Sequence, residues 1–188
     1  MAAHDDELLR ALQDLLLQHK FEVGRAIAAH AEWKARLKQC VDEGRCDASA
    51  TDALRDDRCE LGRWLYALPA EARAERAWSL VRDMHANFHR EASEIVALVH
   101  ATRSPAQFGL DLERLIEFGA SPRASISLAI AARAHALMQG RAFATPADVK
   151  SVALDVMRHR VITSYEAQAE DVDAEQIVQR VLDRIPVP

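Results

Sequence analysis

Apolar residues recur at spacings of three and four along most of the chain, which is the pattern of helices that bury one face. Between residues 6 and 42 this pattern runs without a proline and begins with Leu8 and Leu12. It predicts one long helix, or two helices if the stretch from His19 to Gly24 interrupts it. We expect the helix to stop at Gly44, because glycine commonly follows the last turn of a helix.

Prolines and glycines divide the rest of the chain into further predicted helices. A second helix is predicted over residues 52–68, and a third runs from Pro69 to about Thr102. The later predicted helices cover residues 111–117, 122–138, 145–160 and 173–185. The segment Thr145-Pro146-Ala147-Asp148 is typical of a helix start, with a capping threonine and a proline in the first turn. No strand pattern stands out, so the sequence predicts an all-α protein.

The composition supports this fold class and excludes others. Aromatic residues make up 5% of the 188 residues, with only 6 Gly and 6 Pro, which does not suit a β-sandwich or barrel. A net charge of −5 argues against nucleic acid as a partner. Three cysteines cannot form a complete disulfide framework. The first ten residues are acidic, and no apolar stretch of about 18 residues occurs. We therefore expect a reduced, cytoplasmic protein that binds no membrane.

Four metal-binding side chains fall on three of the predicted helices. His85 and His89 are four residues apart, so both imidazoles lie on one face of the third helix. His30 lies on the first helix and Cys59 on the second. Three nitrogens and one sulfur form a tetrahedral set that suits zinc. Taken singly, however, the histidine pair is more typical of a solvated helix face, and a lone cysteine is more typical of a small buried side chain.

The residues around these positions resemble the chemoreceptor zinc-binding (CZB) domain family. The resemblance covers roughly residues 15–97 and rests on three segments: His30-x-x-Trp33-Lys34, Cys59-x-Leu61-Gly62-x-Trp64-Leu65-Tyr66 and His85-x-x-Phe88-His89-x-x-Ala92. It implies a four-helix bundle, often a homodimer, in which His30, Cys59, His85 and His89 bind zinc (Zn²⁺). It also implies a sensory role, because the family tunes chemoreceptors and diguanylate cyclases in response to zinc or oxidants.

Residues from about 95 onward resemble a second family, the C-terminal helical lid of MoxR-type AAA+ ATPases. The resemblance includes Phe108-Gly109-Leu110-Asp111-Leu112, Phe118-Gly119-Ala120-Ser121-Pro122-Arg123 and Gly140-Arg141-x-Phe143-x-Thr145-Pro146-x-Asp148. In intact members, the arginine that corresponds to Arg123 resembles a sensor of the nucleotide phosphates. This sequence has no Gly-x-x-x-x-Gly-Lys-Ser/Thr loop to bind phosphates. We therefore expect no nucleotide binding by this chain alone, no catalytic residues, and a solvated Arg123.

The sequence thus predicts two helical units, a zinc-binding four-helix bundle over residues 1–97 and a lid-like bundle over residues 98–188. No Gly/Ser linker separates them, so we expect a long third helix to join them rigidly. The leading hypothesis is a non-enzymatic sensory or regulatory module that acts on a protein partner whose identity the sequence does not indicate. The alternative is a helical interaction or scaffold protein, either a lid fragment or an engineered fusion, with a purely structural zinc site.

Overall fold

The computed structural model describes residues 53–185, together with residues 10, 13, 14, 17 and 18. This part of the chain is mostly helical, which confirms the predicted fold class, and it also contains one two-stranded sheet. In chain order the elements are α1 (Glu60–Ala67), α2 (Ala70–Arg73), α3 (Arg76–Arg103), a 3-10 helix (Pro105–Phe108), β1 (Ile116–Phe118), α4 (Arg123–Met138), α5 (Pro146–Met157), β2 (Ile162–Thr163), α6 (Tyr165–Ala169) and α7 (Ala174–Arg184).

The predicted second and third helices are both interrupted. Residues 55–59 are not helical, and α1 begins only at Glu60, because the Cys59 side chain caps the helix by accepting a hydrogen bond from the Gly62 amide. The continuous helix predicted from Pro69 is wrong at its start, since α2 ends at Arg73 and α3 begins at Arg76. Neither break is marked by a proline or glycine at the interruption, so the sequence pattern does not reveal it.

A small hydrophobic cluster lies between α1, α2 and the first turns of α3. Its buried members, which we call the N-terminal cluster, are Leu65, Leu68, Ala72, Trp78 and Val81. The Trp78 indole N–H also donates a hydrogen bond to the Leu65 carbonyl oxygen over 3.0 Å. This bond satisfies the one polar atom of a buried tryptophan and fixes α1 against α3.

A larger cluster, the C-terminal core, lies between the last turns of α3 and helices α4, α5 and α7. Fully buried side chains from each of these helices meet there, including Leu98, Leu128, Val149 and Val178. The helix predicted over residues 111–117 is wrong. Leu112 and Leu115 are buried in the core, but the chain then forms β1, which pairs antiparallel with β2. Leucines three residues apart fit a helix and a turn equally well, and here the turn forms.

The predicted start of α5 is confirmed and belongs to a buried polar network. The Thr145 side chain and the Asp148 side chain form a reciprocal capping box. Asp148, which is only 2% exposed, also accepts two hydrogen bonds from Arg141, of 2.6 and 2.5 Å, and one from His135 Nδ1 over 2.7 Å. The hydrogen bonds from Arg141 hold the pKa of Asp148 well below its usual range against the opposing effect of burial.

Helix α3 is shared by both clusters. Val81 lies in the N-terminal cluster and Leu98 in the C-terminal core, and the helix is unbroken between them. Its 28 residues span about 40 Å. The predicted division between residues 97 and 98 falls within this helix and stays a prediction.

Candidate metal centre

Three of the four predicted zinc ligands converge in the structure. The nearest ligand atoms of Cys59, His85 and His89 all lie within 4.8 Å of one another. The fourth predicted ligand, His30, lies outside the described residues. The described part of the chain therefore supplies one sulfur and two imidazoles to a single point.

Helix α3 positions the two histidines one turn apart on the face that meets the segment before α1. Their ring centroids are 4.7 Å apart and the ring planes are nearly perpendicular, at 79°. His85 is 9% exposed and His89 is half-buried. This is the arrangement predicted from their spacing of four residues.

Cys59 is placed by its role as the cap of α1. Its sulfur lies 3.2 Å from His85 Nε2 and accepts a hydrogen bond from the Gly62 amide, also over 3.2 Å. Burial raises the pKa of the Cys59 thiol, but hydrogen bonds from His89 and from the Gly62 amide outweigh it, so the pKa is lowered overall. A lowered pKa favours the thiolate, which is the form that binds metal.

Gly62 occupies a position where no side chain fits. A Cβ atom on Gly62 would lie 1.7 Å from the carbonyl oxygen of Asp56. The missing side chain lets the segment 55–58 pass directly over the start of α1. The Cys-x-Leu-Gly pattern therefore has a physical explanation, in which the cysteine caps the helix and the glycine admits the neighbouring backbone.

Two backbone carbonyls of the preceding segment hold the histidine rings. His89 Nδ1 lies 2.6 Å from the Ala53 carbonyl oxygen, and His85 Nε2 lies 3.0 Å from that of Asp56. Asp56 makes the contact through its backbone, while its carboxylate accepts a hydrogen bond from the Tyr66 hydroxyl over 2.6 Å. Asp57 instead pairs with the exposed Arg55.

The three side chains fit zinc in both chemistry and spacing. Thiolate and imidazole are the donors that zinc prefers among protein ligands. In a tetrahedral zinc site a sulfur and a nitrogen ligand lie about 3.5 Å apart. The separation of 3.2 Å between Cys59 Sγ and His85 Nε2 needs only a small expansion to reach it. Three ligands also leave one tetrahedral position for a further donor, for which the sequence predicts His30.

The structure also describes the surroundings of Arg123, Trp64 and two further histidines. Arg123 is exposed at the first position of α4, and Trp64 packs against the N-terminal cluster. His135 is bound to Asp148, and the His100 ring meets Phe108 edge-on at 5.8 Å. None of the helices between residues 53 and 185 is long and apolar enough to cross a lipid bilayer.

Comparison with known proteins agrees with both resemblances. Residues 30–96 match the model of the chemoreceptor zinc-binding domain, and residues 111–181 match that of the AAA lid domain. The chain thus matches two families, one in each half. The first match begins at His30 and includes all four predicted ligands, whereas the second includes the helices α4 and α5 of the C-terminal core.

Relatives of the lid segment occur in longer chains. Chaperone MoxR1 of Mycobacterium tuberculosis is 42% identical over 101 residues, which are 53% of this chain and 27% of the relative. Protein MoxR of Paracoccus denitrificans is 41% identical over 98 residues, covering 48% of this chain and 29% of the relative. The crystal structure of a suspected ATPase from Cytophaga hutchinsonii is 35% identical with a TM-score of 0.52, covering 60% of this chain and 35% of that one. The chain spans only about a quarter of these curated relatives.

Proposed function

We propose that this chain is a non-enzymatic regulatory module that binds one zinc ion through Cys59, His85, His89 and His30 and responds to zinc or oxidants. The observation that carries the proposal is the convergence of Cys59, His85 and His89 within 4.8 Å. The match of residues 30–96 to a zinc-binding family supports the choice of metal. Bound zinc would supply a positive charge that ties the segment before α1 to α3.

The continuity of α3 supports a regulatory role. Two of the proposed ligands lie on this helix, and the same helix contributes Leu98 and its neighbours to the C-terminal core. A shift of the N-terminal half of α3 would therefore reach the lid-like part without a flexible linker between them. We propose that the lid-like part is an interaction domain for a protein partner and that the chain acts in the cytoplasm.

The metal content of the purified chain tests the zinc site. We expect one zinc per chain, measured by emission spectrometry on protein purified without added zinc. Cys59→Ala and His89→Ala should each lower this content strongly, because each removes one ligand. His159→Ala is the matched control, since His159 is an exposed histidine of the C-terminal part. A wild-type chain that folds fully with no bound zinc would contradict the proposal.

An oxidation experiment distinguishes a sensory zinc site from a purely structural one. Hydrogen peroxide converts a thiolate to a sulfenate with release of water, which removes a strong zinc ligand. We expect submillimolar peroxide to release zinc from the chain, detected with a chromogenic chelator, and a thiol reductant to restore binding. Zinc that stays bound while free thiols are oxidised would instead favour the alternative, a helical scaffold with a structural metal.

A further inference from the structure

Helix α4 is apolar on two opposite faces. Its buried face carries three alanines and one leucine at intervals of four residues, from Ala124 to Ala136. Three large aliphatic side chains point the other way, since Ile126, Ile130 and Leu137 are 55%, 64% and 56% exposed. At 3.6 residues per turn these three lie within about 40° of one another around the helix axis, opposite the buried face.

A surface helix ordinarily has one polar face, as α7 does. Its buried residues are Ile177, Val178 and Val181, whereas its exposed positions between Glu175 and Arg184 are all polar. A helix that is apolar on all sides is normally covered on all sides. No element within residues 53–185 covers the aliphatic stripe of α4, so the stripe indicates a contact with another molecule.

The same face carries two positive charges and no negative charge. Arg123 and Arg133 are both exposed, and α4 contains no aspartate or glutamate, although the whole chain has a net charge of −5. Neither guanidinium takes part in an ion pair among the described residues, and Arg133 only attracts the buried Glu91 carboxyl at longer range. We call this surface the α4 face, and its residues are Arg123, Ile126, Ile130, Arg133 and Leu137.

The shape of the α4 face fits a second helix. Arg123 and Arg133 are separated by about 15 Å along the helix axis, with Ile126 and Ile130 between them. A long, narrow stripe on one helix is the surface against which another helix packs its own side chains. A matching helix has an aliphatic face and two carboxylates about three turns apart.

Two other occupants fit the α4 face less well. A symmetric contact between two copies of α4 would bring four arginines and no carboxylate of these helices into one interface, where like charges repel one another. An anionic membrane would attract the arginines but repel a chain whose net charge is −5. The carboxylates of a partner helix satisfy both arginines while its aliphatic residues cover the stripe.

We propose that the α4 face is a docking surface for an acidic amphipathic helix of a partner protein, whose two carboxylates pair with Arg123 and Arg133. Burial of the stripe drives the association, and the two ion pairs set the direction and register of the bound helix. This inference rests on the proposed function, since it identifies where the lid-like part binds its partner. It does not involve the zinc ligands, so the two can fail separately.

A synthetic peptide is the probe. It forms a helix of about five turns with leucines along one face and two glutamates about 15 Å apart beside them, and a second peptide has lysines in place of the glutamates. We expect the glutamate peptide to bind the full chain about tenfold more tightly than the lysine peptide, measured by fluorescence anisotropy at low salt.

Variants of the α4 face test both parts of the surface. The double variant Ile126→Ser, Ile130→Ser should weaken binding about tenfold or more, while Tyr165→Ser, at another exposed apolar residue, should not change it. The double variant Arg123→Glu, Arg133→Glu should reverse the preference and select the lysine peptide. Circular dichroism checks that each variant is folded. Absence of binding by the wild type, equal binding of the two peptides, or binding that survives the serine substitutions would overturn the proposal.

The same variants identify the other occupants. A dimer seen by sedimentation and lost in the serine double variant would overturn the proposal in favour of a second copy. Binding to phosphatidylserine vesicles that is lost in the arginine double variant would overturn it in favour of a membrane. A chain that binds the glutamate peptide as expected but no zinc would contradict the proposed zinc site and support the docking surface.

Discussion

Two clusters of polar side chains differ in how completely the protein satisfies them. In the C-terminal core, the Asp148 carboxylate accepts hydrogen bonds from Arg141, His135 and Thr145, so its negative charge is neutralised by groups of the protein. In the metal centre, Cys59 lies close to His85 and His89 of α3. The groups that hold these side chains in place are backbone groups, such as the Gly62 amide at Cys59 and the Ala53 carbonyl at His89.

The difference separates a structural network from a ligand site. A buried charge that is paired and fully hydrogen-bonded needs no further partner. A thiol with a lowered pKa beside two imidazoles offers lone pairs that suit a metal ion. Histidine near a carboxylate and arginine therefore belongs to a packed network in one half, whereas histidine near cysteine belongs to the proposed zinc site in the other.

The largest effect is expected from breaking the satisfied network. Asp148→Ala leaves Arg141 and His135 without their shared acceptor and removes one half of the capping box of α5. We expect the free energy of unfolding to fall by about 3–5 kcal/mol, measured by chemical denaturation. Zinc content per folded chain should not change. Asp155→Ala is the control, because Asp155 is an exposed carboxylate on the same helix. A loss of less than about 1 kcal/mol would show that the network is not the structural anchor we infer.

Glu94 is a second buried carboxyl of the C-terminal core, but it is poorly satisfied. Its side chain is 1% exposed, Oε1 makes no hydrogen bond among the described residues, and the nearest cation, Lys150 Nζ, is 3.8 Å away. That ammonium group already donates to the Leu182 and Ile185 carbonyls at the end of α7. Burial raises the pKa of Glu94 to about 7, against the opposing attraction of Lys150.

This raised pKa predicts that stability falls with rising pH. The folded chain holds the Glu94 proton up to about pH 7, whereas the unfolded chain loses it near pH 4.5. The free energy of unfolding should therefore fall between these values by up to roughly 3 kcal/mol. Glu94→Gln should remove the fall, so this variant is more stable than the wild type at pH 8 and similar to it at pH 4.5. Glu117→Gln, at an exposed position, is the control. Parallel pH profiles for Glu94→Gln and the wild type would contradict this assignment.

The sequence predicts best those elements whose signals are local. The start of α5 carries its threonine, proline and acidic residue in consecutive positions, and the structure has the helix there. The start of α1 depends on Cys59 acting as a cap, and cysteine is not one of the residues preferred at that position. The segment 55–58 lies where it does because of contacts with Tyr66 and His85, which are distant in sequence.

In the metal centre, too, the sequence predicts the features with local signals and misses those that depend on contacts between distant residues. The spacing of His85 and His89 predicts their shared helix face, and the resemblance to a zinc-binding family adds Cys59. The carbonyls of Ala53 and Asp56 have no signature in the sequence, because every residue has a backbone carbonyl. Tyr66 belongs to the recognised segment, but its role depends on its contact with Asp56, which only the fold reveals.

A methyl group on Gly62 should damage the metal centre and leave the C-terminal core intact. Gly62→Ala places Cβ against the Asp56 carbonyl, so the segment 55–58 must move away from α1. We expect zinc affinity to fall about tenfold or more, equivalent to about 1.4 kcal/mol. Gly119→Ala is the reciprocal control. Its Cβ would lie 2.3 Å from the Thr102 carbonyl, which should lower the melting temperature without changing zinc affinity. Equal effects of both variants on zinc affinity would contradict the separation of the two halves.

The smallest expected effect concerns the Arg82 guanidinium, whose carbon lies 4.9 Å from the centre of the Trp78 ring. A cation over an aromatic face at a partly exposed site contributes about 0.5–1 kcal/mol. The N-terminal cluster is small, so the loss in Arg82→Ala should appear as faster amide hydrogen exchange in α1 and the first turns of α3 rather than as a lower global melting temperature. Arg73→Ala, at an exposed position on α2, is the control. If exchange in the C-terminal core rose equally, the two clusters would unfold as one unit rather than as two regions of different stability.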